Sequence, residues 1–403
     1  MTYNEFMDRA GCEKWPERWG EFFDGVREDF AYRGSPASDP SYYDYLESKY
    51  GIMGDDLETY KLICREVNKN EDLRLLLCLI IRAMKDRDFI YADLGSFRMK
   101  KSGDLASRSF TALAALSMVD DTYALLKKRG MPEDVILGAL RLAAGGINDY
   151  PKRHGGEIGY ELLGWFQLSV DGRLFRIGRL EFEFYAHFGA RCVVYSDGGG
   201  GYAALANELS VAPDGWAAGS VRSAYAKDDP GCFEALVSED ENSYSGYLIA
   251  EDGRCDLTGK VTLPKSVWKP ILRRRDPVIG VHIPGGGGLA DGLVEESFDE
   301  CRGFAKKYFP EFHYKCFYCH SWLMDPQLCD LLGDETNISK FNKRFRKITT
   351  SSTGRDVFHF VYLLGDTKNV DYSALDASTT LKRKVRDLYL SGGAISETAG
   401  WFI

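Results

Sequence analysis

Two pieces of sequence decide the fold: Pro277-Val-Ile-Gly-Val-His-Ile-Pro-Gly-Gly-Gly-Gly288 and, after a helix-like segment, Tyr314-Lys-Cys-Phe-Tyr-Cys-His320. The apolar run Val278–Ile283 predicts a strand, which a proline ends before a loop of four glycines. Asp291 then predicts the capped start of a helix that continues to about Phe309, and the second piece predicts another strand. This order predicts two parallel strands joined by a right-handed crossover.

The glycine loop, Gly285–Gly288, would lie at the amino end of that helix, where free amides and the helix dipole favour phosphate. His282 and His320 fall at the carboxyl ends of the two strands, the edge at which open α/β sheets bind ligands. If the strands are neighbours, Tyr318 shares a face with both histidines. A plain glycine turn, with histidines bonded at a sheet edge, is the alternative. The helix is expected to pack on the sheet through Leu293, Phe298, Cys301, Phe304 and Tyr308.

The chain changes character near its first third. Residues 1–144 hold 10 of the 42 glycines and no histidine, and they show helical spacing. The segment 148–156 is rich in helix breakers and charges, so it marks a boundary. We predict an α+β protein: a helical domain, residues 1–150, followed by a mixed β-sheet domain with flanking helices, residues 151–403. Helices in the first domain are predicted from a cap at Asn70, over Asp120–Lys128 and after Pro132.

The second domain begins with a predicted hairpin. Trp165–Val170 and Leu174–Phe184 are strand-like runs on either side of Asp171-Gly172, a dipeptide typical of tight turns. Period two places Glu181 and Glu183 on one face of the second run, together with Arg179. A solvated hairpin face would explain these charges without any function.

A second glycine run, Gly198–Gly201, also lies in this domain. Strand-like residues flank it on both sides, and no helix signal follows it. We therefore predict a hairpin tip there rather than a phosphate-binding loop.

Composition excludes several classes of protein. The 44% hydrophobic and 28% charged residues are typical of a globular chain, and the net charge of −9 argues against a nucleic-acid partner. No apolar run follows the amino terminus, and the longest one, Leu75–Ile81, is too short to span a membrane. We expect a cytoplasmic protein with reduced thiols and no membrane partner.

Other motif matches fail on their context. Gly285-x-Gly287-x-x-Ala290 fits the dinucleotide fingerprint, but His320-Ser321 stands where an acidic residue is needed. Cys316-x-x-Cys319-His320 fits the haem-attachment string, yet a strand directs its two cysteines to opposite faces and no export signal is seen. The same geometry, without a second CxxC, argues against zinc and against a redox pair. We expect no metal, and buried structural thiols.

The segment His282-x-x-Gly285-x-Gly287, between a strand and a helix, resembles the acyl-CoA site of the GNAT-type N-acyltransferase superfamily. That superfamily usually has Arg or Gln where this chain has His282. A closer resemblance is to bacterial acyltransferase domain-containing proteins, which have a helical N-terminal domain and a GNAT-like C-terminal domain. The strings that carry it are Gly159-Tyr-Glu-Leu-Leu-Gly-Trp165, Arg173-Leu-Phe-Arg-Ile-Gly-Arg-Leu-Glu-Phe182, Val281-His-Ile-Pro284, Cys319-His-Ser-Trp-Leu-Met-Asp-Pro326 and Ser339-Lys-Phe-Asn-Lys-Arg-Phe345.

The resemblance implies that the two parallel strands diverge and admit the pantetheine of acetyl-CoA or another acyl-CoA. Backbone amides in the gap would then polarise the thioester carbonyl. Small residues in the loop would let the pyrophosphate approach the backbone. The residues implied to bind acyl-CoA are His282, Ile283, Gly285, Gly286, Gly287, Gly288 and Ser321.

Acyl transfer to an amine needs a base for the acceptor and an acid for the departing thiolate. His320 is the first choice of base because the ordinary pKa of histidine suits neutral pH. Glu181 and Glu183 are alternative bases, and Tyr318 is the candidate acid. Each also has a structural explanation: a sheet-edge histidine, a solvated hairpin face and a core tyrosine.

The expected function is a CoA-dependent N-acyltransferase that moves an acyl group, expected to be acetyl, to a small-molecule or peptide amine. The alternative is a non-catalytic acyl-CoA sensor or scaffold on a degenerate GNAT fold. Two basic stretches, Arg273–Arg275 and residues 340–347, could meet the phosphates of CoA or could be ordinary solvated surface.

Overall fold

The computed structural model describes residues 1–33, 35–86, 97–99, 105–144 and 163–403. The chain divides into two compact units, Met1–Phe175 and Arg176–Ile403. The predicted boundary at 148–156 lies outside the described residues, so the division at residue 150 stays a prediction.

The first unit is helical, as expected. The side chain of Asn70 accepts hydrogen bonds from the amides of Asp72 and Leu73, which confirms the predicted cap. The helices predicted over 120–128 and after Pro132 are also present. The described elements are α1 (Tyr3–Arg9), α2 (Gly20–Arg33), α3 (Pro40–Tyr50), α4 (Leu57–Asn68), α5 (Glu71–Met84), α6 (Leu105–Leu116), α7 (Val119–Lys128), α8 (Glu133–Ala144), α9 (Leu163–Val170), β1 (Cys12–Lys14) and β2 (Arg98–Met99).

The predicted hairpin around Asp171-Gly172 is wrong. Trp165–Val170 belongs to helix α9, which packs against α6 and α8. Gly172 has a φ of +64° and is the second residue after the helix. A left-handed glycine ends a helix as readily as it makes a hairpin turn, so the dipeptide alone could not separate the two. The turn lies at Gly178-Arg179 instead, inside the predicted strand Leu174–Phe184.

The second unit is a mixed-sheet domain with helices, and the α+β fold class is confirmed. Its strands are β3 (Leu174–Ile177, which spans the division), β4 (Leu180–His187), β5 (Cys192–Ser196), β6 (Tyr202–Ala206), β7 (Leu209–Val211), β8 (Phe233–Ala235), β9 (Ser238–Glu239), β10 (Ser243–Gly246), β11 (Val261–Pro264), β12 (Lys269–Arg273), β13 (Pro277–His282), β14 (Phe317–Ser321), β15 (Arg346–Ile348) and β16 (Thr398–Phe402). Its helices are α10 (Asp291–Tyr308), α11 (Gln327–Leu332), α12 (Asn337–Lys343), α13 (Asp356–Val361) and α14 (Thr380–Leu390).

A six-stranded sheet forms the centre of this unit, in the order β15-β16-β14-β13-β4-β3. The predicted parallel pair is β13 and β14. The pairs β4–β13, β14–β16 and β15–β16 are antiparallel. Smaller sheets have the orders β12-β5-β6, β11-β10-β9 and β7-β8. Gly198–Gly201 joins β5 to β6, so the predicted hairpin tip is confirmed.

Helix α10 covers one face of the sheet. The ring of Phe298 contacts those of Phe182, Phe317 and Phe402, with centroid distances from 4.9 to 5.7 Å. The opposite face carries a second apolar cluster, which includes Val278 of β13 and Trp401 of β16. The core therefore occupies both sides of the sheet.

Two details of α10 differ from the prediction. Its N-cap is Ala290, and Asp291 is the first helical residue with its carboxylate bonded to Arg344. Leu293 is 51% exposed because the buried stripe begins at Val294 instead. The apolar stripe is thus rotated by one residue from the predicted one at its start.

Candidate functional site

The parallel pair at the centre of the sheet opens toward its carboxyl end. β13 and β14 are in register for two residue pairs, and in the described chain their pairing ends at Gly280 and Tyr318. β13 remains paired with β4 as far as His282, and β14 remains paired with β16 as far as Ser321. Each strand is held from outside while the two facing edges separate. Backbone amides and carbonyls on those edges can bind an inserted chain.

The glycine loop joins the open end of β13 to α10. Gly286 and Gly287 have φ values of +73° and +71°, a conformation that glycine adopts without steric cost. All four loop glycines are exposed. Ala290 supplies no side-chain hydrogen bond to the start of α10, so the first helical amides lack the usual cap. This arrangement presents backbone donors and the positive end of a helix dipole, which suits a phosphate.

Arg179 lies beneath this loop. Its Nε donates to the carbonyl of Gly288 at 3.0 Å, and its Nη2 donates to those of Pro284 and Gly287 at 3.0 and 3.1 Å. The period-two pattern places Arg179 on a hairpin face and gives no sign of this loop, which is more than 100 residues away in the chain. A basic residue at a two-residue turn is visible in the sequence, but it does not indicate which distant segment its side chain binds.

Glu183 and His282 meet on the face of the sheet opposite α10. His282 Nε2 lies 3.2 Å from Glu183 Oε2, and both side chains are largely buried. They lie close because β4 pairs with β13 here, with Gly280 opposite Glu183. The missing side chain of Gly280 leaves space, since an added Cβ would lie 3.1 Å from that of Glu183. The result is a carboxylate–imidazole pair at the opening between the strands.

Glu181 lies opposite His282 on β4, on the same face. It is 5% exposed, and burial raises the pKa of its carboxyl. Arg176 Nη1, 3.9 Å from Glu181 Oε1, partly opposes that rise. The predicted face of Glu181 and Glu183 is therefore turned toward the site and is not a solvated hairpin surface.

His320, Tyr318 and Ser321 lie on β14, on the other side of the opening. Partial burial lowers the pKa of His320 below the usual 6.5, and the charge of Glu397 acts in the opposite direction. His320 Nε2 is 3.4 Å from the Thr350 hydroxyl. The side chain of Ser321 accepts a hydrogen bond from the Leu323 amide at 3.2 Å and caps a short helical turn.

Tyr318 lies deeper than the sequence suggested. Its ring packs against that of Phe188 at 5.2 Å, and its hydroxyl lies beside Gly189, where an added Cβ would be 3.3 Å away. Burial raises the pKa of Tyr318 well above its ordinary value, so the phenol stays protonated at neutral pH.

This strand, loop and helix arrangement agrees with a comparison of the sequence with known families. The family described as the GNAT-like C-terminal domain matches residues 174–402, more than half of the chain. The chain belongs to this family. No curated protein matches it.

Solved acyltransferase structures share the fold. One in complex with decanoyl-CoA covers 100% of this chain and 99% of its own, with a TM-score of 0.63 and 17% identity. One in complex with CoA and 10C-teicoplanin gives the same coverage, a TM-score of 0.62 and 17% identity. One in complex with decanoyl-CoA and teicoplanin has a TM-score of 0.59 and 18% identity. At these identities the similarity is one of fold.

The cysteines of the GNAT-like domain are not arranged as a site. Cys316 and Cys319 are buried on opposite faces of the sheet, and burial raises the pKa of each thiol to about 12. Across the described ranges, no group of three or more His, Cys, Asp or Glu side chains could hold a metal ion. Among the same residues, no helix has the length and apolar character needed to cross a membrane.

The basic stretches of the GNAT-like domain are already partnered or far from the loop. Arg273–Arg275 lies before β13, at the opposite end of that strand from the glycines. Lys347 is buried, and its burial lowers the pKa to about 8. The other contacts are Lys340 with Glu335, Lys343 with Asp334, Arg344 with Asp291 and Glu295, and Arg346 over the ring of Tyr202.

Proposed function

We propose that this protein is an acyltransferase that takes an acyl group from acyl-CoA and transfers it to an amine. The observation that carries the proposal is the separation of β13 from β14 beyond Gly280 and Tyr318, directly beside the exposed loop Gly285–Gly288. The acyltransferases of similar fold are in complex with CoA or decanoyl-CoA, which supports the same class of ligand here.

The parts of the site match the parts of acyl-CoA. The loop amides and the start of α10 would bind the pyrophosphate, and the facing strand edges would hydrogen-bond to the amides of pantetheine. An edge amide would polarise the thioester carbonyl as its oxygen gains negative charge. His282 is directed to Glu183 on the sheet face. Backbone amides, and not this side chain, would therefore make the phosphate contacts.

The chemistry requires one proton to leave the acceptor. The amine nitrogen attacks the thioester carbonyl carbon, the carbon–sulfur bond breaks, and CoA leaves as a thiolate that is then protonated. We assign the base to His282, because a carboxylate partner such as Glu183 orients an imidazole for proton transfer. His320 is the second candidate on the facing strand. Tyr318, protonated at neutral pH, is the candidate acid.

Turnover of matched variants tests the assignment of the base. We expect His282→Ala to lower kcat by about 10² to 10⁴ while CoA affinity changes little, since general base catalysis contributes that much. Glu183→Gln should also lower kcat, but by a smaller factor, and His320→Ala should lower kcat by less than about tenfold. If His320 is the base instead, its variant suffers the large loss, and an acid limb below pH 6.5 disappears from the pH profile.

Ligand binding tests the function itself. CoA at a hundred times its dissociation constant should stabilise the protein by about 2.7 kcal/mol, and absence of any shift contradicts the proposal. A series from acetyl-CoA to decanoyl-CoA then defines the acyl length. Thiol release with pools of small-molecule, peptide and glycopeptide amines defines the acceptor, since teicoplanin is present in two of the related complexes. Binding without thiol release in every pool would identify an acyl-CoA sensor.

A further inference from the structure

The three hydrogen bonds of Arg179 all go to backbone carbonyls of one loop. Pro284, Gly287 and Gly288 accept them at 3.0 to 3.1 Å. A planar guanidinium has donors in fixed directions, so three carbonyls around it fix the path of the intervening backbone. The loop is otherwise four consecutive glycines, which alone would have a large conformational freedom.

These bonds also decide where the amides of the loop lie. The loop peptides are trans, as are the others in the described part of the chain, and in a trans peptide the carbonyl and the following N–H point in opposite directions. With three carbonyls turned toward Arg179, the amides of Gly285, Gly288 and Leu289 lie on the far side of the loop. Gly285 and Gly288 are exposed residues, so an anion can reach their amides, whereas Leu289 is buried.

The position of Arg179 is itself fixed by helix α10. Its backbone amide donates to Ser297 Oγ at 2.8 Å, and Ser297 Oγ donates to the carbonyl of Leu293 at 2.6 Å. Gly178 has a φ of +57°, and an added Cβ there would lie 2.5 Å from Ser297 Oγ. The turn is therefore seated closely on the helix that follows the loop, which directs the guanidinium beneath the glycines.

We propose that Arg179 is a positioning residue that holds the Gly285–Gly288 loop in its phosphate-binding shape before the nucleotide binds. This inference rests on the proposed acyl-CoA function. Arg179 acts through the loop and does not contact phosphate, because its Nε and Nη2 donate to loop carbonyls and its Nη1 is buried away from the surface. Preorganisation of this kind increases affinity by removing the cost of ordering the loop on binding. Its benefit is confined to ligands that contain the pyrophosphate.

Three variants test the proposal: Arg179→Met, Arg179→Lys and, as a control on the surface pair with Glu208, Arg274→Met. Two measurements are made on each, after melting curves confirm the fold. Backbone ¹⁵N NMR order parameters of residues 285–289 are measured in the free protein. Dissociation constants are measured for CoA and for decanoyl-pantetheine, which lacks the pyrophosphate and the nucleotide.

We expect lower order parameters of the loop in both Arg179 variants, CoA binding weakened by about tenfold, and decanoyl-pantetheine binding within about twofold of the wild type. The control variant Arg274→Met should match the wild type in both dissociation constants and in the loop measurement. Arg179→Lys tests whether the planar set of donors or the positive charge holds the loop, because an ammonium keeps the charge but lacks the planar arrangement of N–H groups. Full CoA affinity in that variant, or unchanged loop order parameters in Arg179→Met, overturns the proposal. A wild-type protein that binds no CoA overturns the proposed function instead, and the order parameters still decide whether Arg179 holds the loop.

Discussion

The two glycine runs of this domain have nearly the same composition and opposite chemistry. In Gly198–Gly201, the amides of Gly199 and Gly201 both donate to Asp197 Oδ1 at 2.8 Å. In Gly285–Gly288, the Arg179 guanidinium binds the carbonyls of Gly287 and Gly288, and the N-cap residue Ala290 offers no side-chain cap to the helix that follows. The amides of Gly198–Gly201 bind the adjacent carboxylate of Asp197, whereas carbonyls of Gly285–Gly288 bind the guanidinium of Arg179.

The difference shows what makes a glycine loop an anion site. Glycines supply a flexible backbone in both runs, and their φ values overlap: +74° at Gly198 and +73° at Gly286. In the hairpin tip the donors that could meet a phosphate already bind a carboxylate, as in an Asx turn. In the loop before α10 the guanidinium binds three carbonyls, and the amides that follow those carbonyls point away from it. The neighbouring charged side chain, and not the glycine count, separates the two.

The largest effect is expected from a β-branched residue in the second loop. At both Gly286 and Gly198 an added Cβ meets nothing within 4 Å, so valine would be strained by the positive φ alone. Gly286→Val should rearrange the loop and weaken CoA binding by about hundredfold, the cost of two charge-assisted hydrogen bonds. Isothermal titration measures it.

Gly198→Val is the matched control for that change. It carries the same backbone strain in the other loop, so it should lower the free energy of unfolding by a similar amount without altering CoA affinity. If Gly286→Val and Gly198→Val bind CoA with equal affinity, Gly285–Gly288 does not bind the phosphates of CoA.

A smaller effect is expected from giving the second loop the carboxylate that the first one has. Ala290→Asp places an acceptor at the N-cap of α10, which should raise the free energy of unfolding by about 1 kcal/mol. The same carboxylate competes with a phosphate, so CoA binding should weaken by about tenfold. Ala290→Ser caps without charge and should stabilise with little loss of affinity. Tighter CoA binding in Ala290→Asp would contradict an anion site at this helix.

Local sequence was sufficient to predict strand β13, the loop Gly285–Gly288 and helix α10. Prolines and glycines end the strand and free the loop, and period two correctly placed Val278, Gly280 and His282 on the face shared with Tyr318. The error at Trp165–Val170 has a local cause too. An apolar run bounded by Asp-Gly fits a strand or a buried helix equally, and only its packing against α6 and α8 decides.

The contacts that complete the site could not be read from the sequence. Glu183 and His282 are 99 residues apart, and Arg179 is more than 100 residues from the carbonyls it binds. Both contacts depend on the pairing of β4 with β13, which no local pattern specifies. The burial of Tyr318 against Phe188 depends on packing in the same way. Strand faces were therefore predictable, and the partners across them were not.

The smallest effect is expected at the first loop. Asp197→Ala removes the acceptor for two amides, and the free energy of unfolding should fall by about 1 kcal/mol, as for other lost side-chain caps. Asp197→Asn keeps a side-chain oxygen in the same place and should recover most of that loss. Neither variant should create phosphate binding at the hairpin, because no guanidinium among the described residues holds the carbonyls of this loop away from a ligand. Chemical denaturation gives the stability, and titration with inorganic phosphate gives the binding. If Asp197→Ala gains phosphate binding, glycine amides without a bound carboxylate are sufficient to bind phosphate. Arg179 would then not be needed to explain why Gly285–Gly288 binds an anion and Gly198–Gly201 does not.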